Sequence, residues 1–114
     1  MISPYVLPGI HRIIGLQFTP EIMCNHIAVK VAEYHKMTIE ELKEHTRKKV
    51  VIEPRQLAMR IMLDKKISLM DIGRYFGFDH TTVIWASKRM NNLIDTEPDF
   101  ADRYNILKRY VTNN

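Results

Sequence analysis

"SLMDIGRYFGFDHTTVIWASKRM", residues 68–90, decides the fold. It opens on Ser68 with an acid three residues on, Asp71, the pattern of a capping box at a helix start. Leu69, Ile72, Tyr75 and Phe76 follow at helical spacing, which predicts a helix that buries those four. Gly77 stands where that helix must stop, a natural left-handed position. Asp79 can cap a second helix at once, and Val83, Ala86, Met90 and Leu93 carry its buried stripe to about Ile94. A helix, a tight glycine turn and a longer helix make a helix-turn-helix over 68–94.

In that unit the second helix enters the DNA major groove, with its first residues against base edges. This accounts for the polar run at its start. His80 can donate or accept, Thr81 and Thr82 carry hydroxyls and methyls, and Asp79 can accept from a cytosine amino group. A plainer reading needs no DNA. Asp and Thr are ordinary caps, and two helices with a glycine turn are an ordinary hairpin.

Outward from this stretch the helical signals continue. Thr19-Pro20 is an N-cap before a proline at the first helical position. Ile22, Cys24 or His26, Ile27, Val31 and Tyr34 predict a helix to about His35. Thr38 and Glu41 form a capping box for a short helix to His45. In "TRKKVVIEPRQ" three cations meet a β-branched run, so the expectation is a loop or extended segment with a new helix from Pro54. Leu57, Ala58, Ile61 and Met62 would be its buried stripe. Pro98 opens a last helix on Phe100, Tyr104, Leu107 and Val111. The fold class is therefore all-α, with about six helices. There is no internal repeat or long linker. The expected organisation is an N-terminal arm at 1–18, extended or turned by Pro4, Pro8 and Gly9, and a helical DNA-binding domain at 19–114.

Composition narrows the function classes. With 114 residues the chain is one domain, and it can bury roughly two-thirds of its unfolded surface without staples. A single cysteine excludes an internal disulfide and fits a reducing, cytoplasmic setting. No apolar run is long enough to span a membrane, and prolines and His11 break any signal-peptide pattern at the N-terminus. A net charge of +4 is compatible with a polyanionic partner without requiring one. The five histidines are scattered, and Cys24 and His26 lie at i, i+2, where they do not face each other on a helix. No enzymatic activity, cofactor or metal is expected. Met59, Met62, Met70 and Met90 sit in core-like phases.

Three blocks carry a family resemblance: "EPRQLAM" at 53–59, "SLMDIGRYFG" at 68–77 and "DHTTVIWASKRM" at 79–90. Together with "VAEYHKMTIEELKEHTRKK" at 31–49, they resemble the C-terminal DNA-binding domain of the bacterial replication initiator DnaA over about residues 20–111. The resemblance implies base reading in the major groove by Asp79, His80, Thr81 and Thr82. It implies an arginine reaching the minor groove, at Arg47. It implies backbone contacts from the neighbouring cations Lys48 and Lys49, from Arg55 and Gln56, from Ser68 and Leu69, and from Arg89. The partner is then double-stranded DNA, with no membrane and no nucleotide.

There are departures from the pattern. The turn before Asp79 is short and ends in apolar Phe78. Trp85 stands where a histidine able to touch phosphate is usual. Glu53 and Leu63 replace basic residues, with Arg60, Lys65 and Lys66 nearby. The nucleotide-binding pattern G-x-x-x-x-G-K-[ST] of an ATPase is absent from the 114 residues. The expectation is thus a stand-alone DNA-binding module, a small replication- or transcription-related regulator, with residues 1–18 open to a protein partner. The alternative is an interaction module on the same fold that has lost DNA binding and docks through Phe78 and Trp85.

Overall fold

The computed structural model describes residues 19–112. The arm at 1–18, and the partner expected of it, lie outside these residues. Six helices run in order: α1 Pro20–Tyr34, α2 Ile39–Lys43, α3 Lys49–Asp64, α4 Leu69–Phe76, α5 His80–Thr96 and α6 Pro98–Thr112. No strand occurs among the described residues, so the chain is all-α as the periodicity predicted. No helix among them is long and apolar enough to cross a membrane.

The helix starts follow the local chemistry. Thr19 accepts the Ile22 N–H at 3.2 Å ahead of Pro20. Thr38 and Glu41 complete a capping box, with both reciprocal bonds formed. At α4 only half of the expected box forms. Ser68 accepts the Asp71 N–H, but the Asp71 carboxylate takes the Ser68 hydroxyl rather than its backbone N–H. Aspartate is one methylene shorter than glutamate and does not reach back that far. α1 and α3 each end on a lysine in left-handed backbone, Lys36 (φ 56°) and Lys66 (φ 68°). The next residues, Met37 and Ile67, return their N–H groups to Ala32 and Met62, which is the Schellman closure usually given to glycine.

α3 corrects the expected loop. It starts at Lys49 and carries Pro54 inside it. Val51 and Pro54 are buried in phase with Ala58, Ile61 and Met62. A β-branched residue loses only a few tenths of a kcal/mol in a helix, whereas burying a valine returns about 1.5–3 kcal/mol. Packing therefore wins over local preference. The proline leaves the Val50 carbonyl without a helical donor, and Val50 is exposed, so water can take that acceptor.

The core joins α1, α3, α4, α5 and α6 through Cys24, Ile27, Val31, Ile61, Met62, Ile72, Phe76, Val83, Met90, Leu107 and Val111. Cys24 is fully buried, and that burial, with Asp71 and Glu21 adding to it, pushes its thiol up to about 12. It packs as a neutral side chain. Several stripe assignments need correcting. Ile22 faces solvent, because α1 buries Cys24, Ile27, Ala28 and Val31 instead. Tyr34 is in phase but sits on the last turn, where the Tyr110 ring lies 5.2 Å away, and it stays part-exposed. Leu69, Tyr75 and Leu93 are half-buried. Met70, expected in the core, is 57% exposed, one residue out of phase with Leu69.

α6 is fastened to the end of α3 by Asp64. Its carboxylate pairs with Arg60 at 2.9 Å and Lys108 at 3.0 Å, and accepts from the Tyr104 hydroxyl. Burial alone would raise its pKa. The Tyr104 and Lys108 hydrogen bonds and the Arg60 and Lys108 charges outweigh burial and hold the carboxyl below its ordinary value. A depressed carboxyl contributes stability that is fully present above the unfolded-state value, about 3.9, and is lost as pH falls through the folded value. Replacing Asp64 with Asn should cost about 1–3 kcal/mol at neutral pH. The loss should shrink as pH falls through the folded value. Urea titrations carried from pH 7 down the acid limb measure both, and a loss that shrinks at no acid pH would contradict the pairing.

Candidate nucleic-acid interface

The turn between α4 and α5 is built on two glycines. Gly77 adopts φ 76°, and the Phe78 N–H reaches back to the Gly73 carbonyl at 2.8 Å. A Cβ on Gly73 would stand 2.6 Å from the Phe78 carbonyl oxygen. The turn therefore lies directly on the α4 backbone, and only glycine allows that approach. Asp79 then caps α5, as the sequence predicted.

The segment between α2 and α3 is clamped to this turn. His45 Nε2 lies 3.0 Å from the Phe76 carbonyl. A carbonyl can only accept, so Nε2 carries the proton. The imidazole stacks on the Phe78 ring, with centroids 4.0 Å apart and planes within 12°. Arg55 donates to the Glu44 carbonyl at 2.5 Å and sets its guanidinium 4.8 Å from the Phe78 centroid. The loop cations follow immediately. Arg47 is two residues from His45, at most about 7 Å along the chain, and Asp79 adjoins Phe78. The 47–49 cations and the 79–82 tip therefore leave one junction. Arg47, Lys48 and Lys49 are exposed, and none has an ion-pair partner among the described residues.

At the tip, one carboxylate oxygen of Asp79 organises its neighbours. It accepts the Thr81 N–H at 2.9 Å and the Thr81 hydroxyl at 2.8 Å, and His80 Nδ1 lies 3.1 Å away. The two Thr81 bonds, with a smaller pull from His80, hold the Asp79 carboxyl below its usual value. Asp79 is thus committed first to capping. The Thr81 hydroxyl keeps a lone pair, and His80, Thr82 and the Thr81 methyl are exposed.

The backbone-contact candidates separate. Gln56 and Arg89 come together, the Arg89 guanidinium donating to the Gln56 side chain at 2.6 Å and tying α5 to α3. Ser68 is exposed with its hydroxyl on Asp71. The Leu69 and Met70 N–H groups begin α4 and lack helical acceptors, as first-turn donors do. Arg55 corrects the sequence expectation. It is only 7% exposed, because it lies in phase with Val51, Ala58 and Met62 on the buried stripe of α3. Burial lowers its pKa from the ordinary guanidinium value, and its bonds go to the loop and to Phe78. Periodicity did not reveal the roles of His45, Phe78 and Gly73. The one available signal was an apolar residue, Phe78, between Gly77 and Asp79 in an otherwise polar turn.

Comparisons with known proteins identify similar sequences. The family described as "Bacterial dnaA protein helix-turn-helix" matches residues 24–90. The chromosomal replication initiator protein DnaA of Wolbachia pipientis wMel is 40% identical over 92 residues, covering 77% of this chain and 20% of the relative. That of Bdellovibrio bacteriovorus is 40% identical over 96 residues, covering 81% and 20%. That of the Wolbachia of Brugia malayi is 40% identical over 87 residues, covering 73% and 18%. The chain thus spans about a fifth of the length of these relatives.

The Phe78 clamp can be tested without DNA. Phe78→Ala should leave the helices intact but cost about 2–3 kcal/mol, below the full-burial figure because the ring is half-buried. Amide exchange at Thr46 and Lys48 should rise more than exchange in α6. Equal changes in both places would mean that Phe78 does not hold the loop.

Proposed function

The chain belongs to the bacterial DnaA helix-turn-helix family, and from that premise we propose that it reads a specific double-stranded DNA site. A helix-turn-helix domain of this family binds DNA and is not a catalytic unit. The start of α5 enters the major groove, where His80, Thr81 and Thr82 meet base edges and Asp79 orients them. Arg47 enters the adjacent minor groove, whose narrow, negative floor favours a guanidinium. Lys48, Lys49, the Gln56–Arg89 pair and the N-terminus of α4 at Ser68 and Leu69 take phosphates and fix register. Arg55 supports the loop from inside. The relatives are named replication initiators, so origin binding or a related control of transcription, in a bacterial cytoplasm, is the process we assign.

The observation that carries this reading is the His45–Phe78 contact. It anchors the cationic loop and the polar tip to one point, so one duplex can engage both. Arg47, Lys48 and Lys49 are also without ion-pair partners among the described residues, which suits groups that pair with phosphate.

Selection from a random duplex pool, followed by gel-shift titration, tests the proposal. One motif should enrich. Log affinity should fall linearly with log salt, each phosphate-bound cation contributing about −0.9 to the slope, and Lys48→Ala should flatten it by about one. Thr81→Ala should cost about 1–3 kcal/mol on the enriched site only. Arg47→Ala should weaken the enriched site while sparing helical content. No enrichment, or equal losses for Thr81→Ala on scrambled DNA, would remove the base-reading assignment.

A further inference from the structure

Trp85 is 65% exposed on the longest helix, an unusual position for the chain's one tryptophan. α5 buries Val83, Ala86 and Met90. Thr81, Trp85, Lys88 and Asn92 fall at i, i+4, i+7 and i+11, on the opposite side of the helix. Trp85 therefore stands directly behind the reading tip, about 6 Å further along the axis than Thr81 at 1.5 Å per residue. The Lys88 ammonium lies 5.0 Å from its ring. Arg89, joined to Gln56, flanks it. A large apolar surface bordered by cations suits a partner that is anionic at its rim and apolar between the charges.

We propose that Trp85 is a specificity-determining residue, laying its indole on a thymine methyl and the adjoining deoxyribose in the same major groove that the tip reads. The inference rests on the DNA reading above and adds to it a neutral, apolar contact. B-DNA offers that surface only at thymine, whose methyl projects into the major groove. Lys88, held beside the ring, is placed to meet the neighbouring phosphate. The contact releases no counterions, so its contribution does not decline with salt, unlike those of Lys48 and Lys49. Covering about 60 Å² of indole corresponds to about tenfold in affinity.

The chain's single tryptophan makes the test direct. Full-length chain is titrated with the duplex enriched by selection, labelled for anisotropy, while acrylamide quenching of the Trp85 emission is followed in the same samples. Quenching should fall severalfold, with the midpoint of the anisotropy curve. Trp85→Ala should bind about tenfold more weakly with an unchanged salt slope, and Trp85→Phe should recover part of the loss. Replacing site thymines with uracil should weaken the wild type and leave Trp85→Ala nearly unaffected. Thermal melts of both variants serve as the folding control, since an exposed side chain should not move them. Duplex binding that leaves Trp85 fully quenchable, or a Trp85→Ala affinity within twofold, overturns this inference and leaves the DNA reading standing. Protection of Trp85 by self-association without DNA overturns it too. A duplex that does not bind at all removes both.

Discussion

The Phe78 carbonyl sits where a Gly73 side chain would be, and the Phe78 ring carries the His45 imidazole and lies against the Arg55 guanidinium. Everything proposed for this surface depends on that arrangement. Without it, the loop at 44–48 would be a tether between two helices, free to place its cations anywhere within reach. With it, the loop is fixed at both ends: His45 bonds the last carbonyl of α4, and Arg55 bonds the Glu44 carbonyl. Aromatic stacking of this kind adds about 0.5–1.5 kcal/mol beyond area burial. A hydrogen bond from a charged donor adds about 1.5–3 kcal/mol. Those sums are small against the core, and they offset a good part of the roughly 5–10 kcal/mol that ordering a five-residue backbone costs. Ordering the loop beforehand spares a bound ligand that cost.

The cations of this chain fall into two kinds. Arg60 and Lys108 are joined to Asp64, and Arg74 to Asp71, so their charge is largely neutralised within the fold. Among the described residues Arg47, Lys48 and Lys49 have no ion-pair partner, as is also true of Lys65, Lys66, Arg103 and Arg109, but these three stand together where α3 begins. Placing cations at the positive end of a helix dipole is unfavourable by a few tenths of a kcal/mol. The fold tolerates that at one place, beside a polar helix tip. An anion brought to this end would relieve the repulsion and meet the unpaired first-turn N–H groups of α3 together. The +4 total is therefore less informative than the position of this cluster beside the helix tip.

Elements whose cause is local were legible in the sequence. The caps at Thr19, Thr38 and Asp79, the left-handed Gly77 and the stripes of α5 and α6 could be read from spacing alone. Errors arose where distant packing overrides local preference. Val50, Val51 and Ile52 read as extended, whereas the burial of Val51 and Pro54 draws them into α3; Arg55 shares that buried stripe. Lys36 and Lys66 hold backbone that glycine would hold with less strain, so no glycine marked those helix ends, and only the loss of helical spacing showed where α1 stops. The His45 bond to the Phe76 carbonyl spans 31 residues, and no periodicity announces a pairing of that kind. At the site, residue types and their order were readable, whereas which side chains support and which remain available was not.

The same contact bears on whether this surface could serve a protein partner instead. That alternative drew on two exposed aromatics, Phe78 and Trp85. Phe78 is half-buried and already occupied by His45 and Arg55, so it has little surface left to offer. Trp85 remains; Val50 and Met70, on α3 and α4, are the other apolar side chains more than half exposed among the described residues. A stable protein interface removes about 800 Å² from each partner around a dry, apolar centre. A tryptophan supplies at most about 250 Å², and here it is bordered by Lys88, Arg89 and polar Thr81 rather than by further apolar residues. Such a border would leave charges desolvated against a protein. Against a duplex, the same charges face phosphates, and an isolated indole needs only the apolar patch a single base step provides.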